Sequence, residues 1–357
     1  MCIALCAALI SAFIVPPDAE YLTYFDLKTL TCLFCTLAVV CALKNVFFFR
    51  IISTRIIEVF GTLRTATLAL VYITFIGSML IANDMALITF LPLGYFVMSS
   101  TDNRKNLAFT FIMQNIAANL GGMLTPFGNP QNLYMYSYYG IPTMEFIEIM
   151  FLPFILSITL ITICCMFVKN EKLTIHRSYN ASMDKLRTAV YLMLFALSII
   201  IVFRVIPFWI GLVVIPAVLF FMDRDALRAV DYPLLVTFCA FFVFAGNVAR
   251  IPAVINTLGV LINSHPLLFG ALSCQFISNV PSAILLSHFT DRYHQLLVAV
   301  NIGGAGTLIA SLASLITFRE YLKSDRENIK SYLKKFTLYN FGFLIFLLVV
   351  MGAIIGF

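Results

Sequence analysis

The chain has 357 residues, 61% of them hydrophobic and only 11% charged, with a mean hydropathy of +0.98 and a formal net charge of +6. A soluble domain carries about 25% charged residues, so this surface cannot be solvated in water and the chain reads as a multi-pass membrane protein. The basic excess belongs to loops on one side of a bilayer rather than to nucleic-acid binding. The nine cysteines lie mostly inside apolar runs, as at Cys32, Cys35, Cys41, Cys164 and Cys165, and suggest neither a disulfide framework nor a zinc site.

Residues 1–15 form a short first span, with no basic start of a signal peptide and Pro16-Pro17 directly after it. Residues 16–26 are an acidic loop, and 27–43 a second span. Residues 44–63 mix Phe47, Phe48, Phe49, Ile51 and Ile52 with Lys44, Arg50, Arg55 and Glu58, which suits the membrane interface. Residues 65–82 and 85–99 are apolar helices broken at Asn83-Asp84. Residues 106–124 then lead into 119–133, NLGGMLTPFGNPQNL, where Gly121, Gly122, Pro126 and Gly128 interrupt a helix ahead of Asn129, Gln131 and Asn132. A span at 145–168 and a polar stretch at 169–187 follow.

Residues 189–205 and 207–222 are short spans, 223–231 a polar loop, 233–248 a span and 249–264 a second interfacial segment. Residues 266–277 and 282–289 form a hairpin broken at Ser278-Asn279. At about 1.5 Å per residue its arms are too short to cross about 30 Å of hydrocarbon, so it reads as re-entrant. The hairpin at Asn83 has longer arms and is read as re-entrant by analogy. A second broken helix occupies 293–318, followed by a basic stretch at 319–335 and a last span at 336–356. With the 16–26 loop outside, only Lys28, Arg204, Arg250 and Arg292 of the 23 Lys and Arg fall outside. That asymmetry fixes the orientation.

The chain contains an internal duplication. Aligned without gaps, 119–133 and 301–315 share Asn119/Asn301, Gly121/Gly303, Gly122/Gly304, Thr125/Thr307 and Leu133/Leu315. MLIANDMALI at 79–88 pairs with QFISNVPSAI at 275–284, placing Asn83 opposite Asn279. Asp26 and Asp231 open the two copies, and the odd number of crossings between them inverts the second. The expected fold is all-α, with two inverted-topology repeats, each holding a re-entrant hairpin and a broken transmembrane helix. Its divisions are an N-terminal span and loop at 1–25, repeat 1 at 26–168, a cytoplasmic linker at 169–188 and repeat 2 at 189–357. The first copy has one span ahead of its Asp and the second has two.

Broken helices inside a bilayer are tolerated where they line a polar cavity, and matched breaks in two halves point to a transport site. The N-terminus of a half-helix suits an anion, and freed carbonyls suit Na⁺. The candidate ligands are therefore Asn83, Asp84, Thr125, Gly128, Asn129, Asn132, Ser278, Asn279, Thr307 and Ser311. The plainer alternative is that these groups only hydrogen-bond neighbouring helices. Asp84 is the acid deepest in an apolar stretch, suited to Na⁺ or a proton. His288, Asp291, Arg292 and His294 read as a solvated turn, and Asp223-Arg224-Asp225 as solvated charge. No GxSxG, HExxH or GxxxxGK[ST] pattern is present, which argues against an enzyme or an ATP-driven pump.

Together ANDMALITFLPL, NLGGMLTPFGNPQNLYMY, ISNVPSAILL and GGAGTLIASLAS resemble the ion-transporter superfamily. It comprises divalent anion/sodium symporters, citrate-transporter-like permeases, arsenite permeases and some sodium/proton antiporters. The resemblance implies a homodimer in which a moving transport domain cradles substrate and ion between the hairpins and unwound helices. In the dicarboxylate branch both hairpin tips carry Ser-Asn-Thr. Here they read Ala82-Asn83-Asp84 and Ser278-Asn279-Val280, keeping each Asn and losing each Thr. Dicarboxylate binding is thereby put in doubt, while Na⁺ at Asn83, Asn129 and Asn279 stays open. The expectation is a plasma (inner) membrane secondary transporter of a small anion, a carboxylate or inorganic oxyanion. It would be coupled to Na⁺ or H⁺, need no other cofactor and work by elevator-type alternating access. The alternatives are sodium/proton antiport through Asp84 and arsenite-type efflux.

Overall fold

The computed structural model describes residues 1–57, 60–100, 104–172, 184–325 and 328–357. Glu58 of the amphipathic stretch, residues 173–183 of the polar linker and Arg326 of the basic stretch lie outside the described residues. Within them the fold is all-helical, with one isolated bridge between Thr62 and Lys172.

The first half runs α1 (Cys2–Ile14), α2 (Leu27–Asn45), α3 (Phe48–Ile57), α4 (Leu63–Ile81), α5 (Asn83–Ser100), α6 (Leu107–Gly121), α7 (Pro130–Tyr138) and α8 (Thr143–Met166). Two helices follow, α9 (Lys185–Val202) and α10 (Phe208–Met222), and then the short α11 (Arg224–Arg228). The remainder is α12 (Tyr232–Ala249), α13 (Pro252–Val254), a π-helical turn at Ile255–Gly259, α14 (Val260–Ser264), α15 (Pro266–Ile277), α16 (Asn279–Ser287), α17 (Tyr293–Ile302), α18 (Leu312–Ser324) and α19 (Ile329–Ile355). Seven of the described helices are long and apolar enough to cross a bilayer.

Local chemistry sets the boundaries. Asp26 caps α2 through the Thr29 amide at 3.0 Å, and Asp231 caps α12 through the Leu234 amide at 3.0 Å. The two acids that open the duplicated segments thus have the same job. Thr62 and Thr65 close a reciprocal capping box on α4. Proline at the first helical position starts α7, α13 and α15, where its missing N–H costs no hydrogen bond. The segment Pro252–Ser264 meets Pro266–Ile277 at 119°, so the expected interfacial stretch turns sharply into the hairpin.

Side-chain ties sort the loops into two ends. At one end Arg250 pairs with Asp18 at 2.6 Å and with Glu20 at 3.4 Å, joining the 16–26 loop to the end of α12. The Arg250 guanidinium holds the Asp18 carboxyl below the usual carboxylate range. Glu145, at the start of α8, accepts from the Tyr293 hydroxyl at 2.6 Å and contacts His294 at 3.1 Å on the same level. His294 stacks on Tyr293 and reaches Glu145 while staying exposed, with Asp291 and Arg292 exposed beside it, as expected of a solvated turn. At the opposite end of α8, the Val168 carbonyl accepts from Arg64 at 2.8 Å and the Glu171 carbonyl from the Leu63 amide at 2.8 Å. Asp223 is more than solvated charge. It accepts from Asn45 at 3.1 Å and Tyr191 at 3.4 Å and caps α11, tying α2, α9 and α11 together.

Both hairpins fold back on themselves, and they enter from opposite ends of α8. Helix α4 starts beside Val168, and Gln114 of α6 bridges both arms by donating to Thr74 Oγ1 and the Phe90 carbonyl, each at 3.1 Å. Helices α15 and α16 return to the end that carries Tyr293, where Asn263 donates to the Phe289 carbonyl at 2.8 Å. The arms of the second hairpin are 12 and 9 residues, those of the first 19 and 18. Each hairpin packs on the first half of its own broken helix. The second halves cross over: α7 lies against α16 and α17, and α18 against α5 and α6.

Candidate amide site where two broken helices cross

The breaks are built alike. Gly121 lets α6 approach α4 closely, because a Cβ there would strike Ser78 Oγ at 2.6 Å and the Phe75 carbonyl. Gly303 does the same against Cys274 of α15, with Sγ at 2.8 Å, and Cys274 is the residue that aligns with Ser78. Thr125 donates its hydroxyl to the Met79 carbonyl at 2.8 Å; Thr307 donates to the Gln275 carbonyl at 3.0 Å. Met79 and Gln275 are themselves aligned positions. Asn129 and Ser311 both precede their second half-helix in extended backbone, at φ −138° and −147°.

The hairpin tips match too. Ala82 (φ 66°, ψ 152°) and Ser278 (φ 75°, ψ 156°) occupy the same left-handed extended region, which is held almost only by glycine and costs about 1–3 kcal/mol elsewhere. The first break falls at Ala82, one residue ahead of the expected Asn83-Asp84, the second at Ser278 within the expected Ser278-Asn279, and each Asn opens the returning arm. Asn83 Oδ1 accepts from the Asp84 amide at 2.9 Å, and Asn279 Oδ1 from the Val280 amide at 2.9 Å.

The elements converge on a buried cluster of amides. Asn83 Nδ2 donates to Asn119 Oδ1 at 3.5 Å. Asn129 Nδ2 donates to the Asn119 carbonyl at 3.3 Å and to Asn301 Oδ1 at 3.4 Å. Gln131 reaches the same Asn301 oxygen at 3.4 Å, and Asn301 Nδ2 donates to Asn132 Oδ1 at 2.6 Å. The Asn279 amide donates to the Ala310 carbonyl at 2.9 Å. A Cβ on Gly304 would lie 3.0 Å from Asn279 Nδ2 and 3.7 Å from Asn119 Oδ1, which places the second tip beside the first break. The helix N-termini of α5, α7, α16 and α18 all begin within this cluster.

Some nominated ligands serve the scaffold of the site. Asn132 Nδ2 donates at 3.2 Å to the carbonyls of Gly122, Met123 and Thr125, holding the unwound turn. The hydroxyl protons of Thr125 and Thr307 are used against hairpin carbonyls, and Ser311 caps α18 through the Ser314 amide at 3.2 Å. Gly128 is steric: a Cβ there would strike the Gly122 carbonyl and lie 2.6 Å from Thr125 Oγ1. Ser278 contributes its backbone turn and a 3.4 Å bond to Asn279 Oδ1.

Four buried atoms here lack a protein partner among the described residues: Asp84 Oδ1, Asn119 Nδ2, Asn129 Oδ1 and Gln131 Oε1. Buried polar atoms are ordinarily satisfied, so orphaned ones mark where a ligand would bond. Three are oxygens suited to a cation, and one is a donor suited to an anion. Asn119, Gln131 and Asn301 join the cluster and Gln275 its second break, all four outside the candidate ligands read from the sequence. The first three stand in motifs legible in the sequence. Gln275 gives no such signal, because its aligned partner is Met79. It donates to the carbonyls of Gly303 at 2.9 Å and Ala305 at 3.1 Å, doing for the second break what Asn132 does for the first.

A family model described as citrate transporter matches residues 1–292. An uncharacterized transporter of Methanocaldococcus jannaschii is 34% identical over 296 residues, covering 82% of this chain and 80% of its own. The inner membrane protein YbiR of Escherichia coli is 31% identical over 288 residues, covering 78% and 75%.

Proposed function

The chain belongs to the citrate transporter family and is a multi-pass membrane transporter, and from that premise we propose that it moves a small anion, coupled to Na⁺ or H⁺, through the crossing of its two broken helices. One observation carries the reading: four helix N-termini and orphaned amide atoms meet at one buried point between hairpins that enter from opposite ends. Helix N-termini favour a carboxylate or oxyanion, while orphaned amide oxygens and unwound carbonyls favour the coupling ion. The matched tips and crossed second halves support two inverted repeats, the architecture suited to alternating access with an elevator motion.

The test is uptake into proteoliposomes under imposed Na⁺ or proton gradients, with citrate, smaller carboxylates, inorganic oxyanions and arsenite offered in turn. Gradient-dependent uptake of a carboxylate or oxyanion is the expected result. Equal flux with and without either gradient, following voltage alone, contradicts coupling.

A second reading, sodium/proton antiport, is favoured by Asp84, whose Oδ1 is buried without a protein partner. Under that reading Asp84→Asn abolishes ΔpH-driven exchange. Unchanged exchange in Asp84→Asn rejects it.

A further inference from the structure

A cavity of about 630 Å³ opens at the end of the molecule that carries the 16–26 loop, between α2, α7, α12 and the end of α16. It has room for about twenty waters at about 30 Å³ each, and so for a hydrated small anion. Its floor includes Tyr134, whose hydroxyl is bonded to Ser287 Oγ at 2.8 Å. Tyr134 is five residues along α7 from Asn129, about 7.5 Å at about 1.5 Å per residue. Tyr134 thus links the cavity lining to the helix whose start carries Asn129.

The acids on its wall already have protein partners. Glu20 pairs with Arg250, and Asp26 is bonded to the Thr29 amide and hydroxyl. Arg250 is in turn saturated by Asp18, Glu20 and the Tyr24 hydroxyl. Four lining groups make no hydrogen bond or ion pair among the described residues: Lys28 Nζ, Ser137 Oγ, the Tyr138 hydroxyl and the His288 imidazole. All four can donate, and one is a full positive charge. Lys28 feels both the Arg204 guanidinium and the Asp26 carboxylate, and Arg204 is itself held by the carbonyl and ring of Tyr136. With Asp26 engaged by Thr29, a bound anion would give the Lys28 ammonium the hydrogen-bond partner it lacks among the described residues.

We infer that this cavity is a second anion site, a vestibule in which a small carboxylate or inorganic oxyanion is held by Lys28, Ser137, Tyr138 and His288 before Tyr134 gives way to the amide cluster. The inference rests on the reading of the cargo as an anion. Lys28 sets the affinity, because a charge-assisted hydrogen bond is the strongest single contact available there.

The test uses the full chain in detergent, with citrate and inorganic phosphate as probes and the thermal-unfolding midpoint as readout. The proteins compared are Asn129→Ala, in which the central site is disabled, and Asn129→Ala combined with Lys28→Gln or with Tyr138→Phe. An anion-dependent rise in midpoint is expected in Asn129→Ala. Adding Lys28→Gln should shift its concentration dependence upward by roughly tenfold, and Tyr138→Phe should shift it less. An absent rise in Asn129→Ala, or one indifferent to Lys28→Gln, overturns the vestibule. If Asn129→Ala instead keeps full gradient-driven uptake, it is the central-site reading that fails.

Discussion

At the residue scale, the hairpin tips concentrate strain at two positions that carry no glycine. Ala82 and Ser278 hold backbone that L-residues avoid, yet the Asn after each bonds the next amide in the same way. Such strain persists only where the surroundings impose it. Ala82→Gly, which adopts this backbone freely, is expected to raise the apparent unfolding midpoint, whereas Ala82→Val should lower stability by about 1–3 kcal/mol. Thermal unfolding of the two purified variants decides the point, and equal midpoints would show that the turn carries no strain. The Asn residues themselves were legible from the sequence, since Asn83 and Asn279 stand out in apolar runs. The turn at Ser278 falls in the dipeptide the sequence marks, whereas nothing in Ala82 announces a positive φ, so the first break is legible only to within one residue.

At the element scale, each unwound turn is held by one amide side chain acting on several carbonyls, Asn132 in the first break and Gln275 in the second. In a water-poor interior, removing that donor leaves acceptors unpaired at a cost of about 1–3 kcal/mol. Gln275→Ala should therefore destabilise the second break and reduce transport together, while Gln275→Asn shortens the reach and should rescue little. A Gln275→Ala protein with unchanged midpoint and unchanged transport would remove the clamp from the account. The duplicated breaks were readable because Gly121/Gly303 and Thr125/Thr307 need particular residue types, for close approach and for a hydroxyl donor. The clamps escaped sequence comparison because they come from different elements, α7 for one and α15 for the other. What the aligned Met79 and Gln275 share is a backbone carbonyl, which leaves no trace in residue identity. Likewise Asn129 and Ser311 begin equivalent half-helices, but only Ser311 caps its own. Asn129 turns to Asn119 and Asn301, which makes the first break the richer half of the site.

At the scale of the whole molecule, composition and the placement of Lys and Arg were enough to expect a multi-pass helical protein. The described loops fall into two ends in agreement with that division: Asp18, Glu20 and Arg250 lie together at one, and Arg64 and Asp223 at the other. If the basic loops face the cytoplasm, Glu20→Cys should react with a membrane-impermeant maleimide in intact cells and Asp225→Cys only after permeabilisation. The reverse pattern would invert the orientation. What could not be read from the sequence was that the second half of each broken helix lies against the other hairpin, because such crossing depends on tertiary packing alone. That crossing places Asn301 of one half in bonds with Asn129, Gln131 and Asn132 of the other, so the halves share one amide cluster.

The central claim is that this shared cluster carries the cargo. Its most direct test is gradient-driven uptake in proteoliposomes by Asn129→Ala and Asn279→Ala, one from each half, with folding verified by thermal unfolding. Each substitution alone is expected to abolish uptake in a folded protein. Wild-type uptake in both purified variants would contradict it.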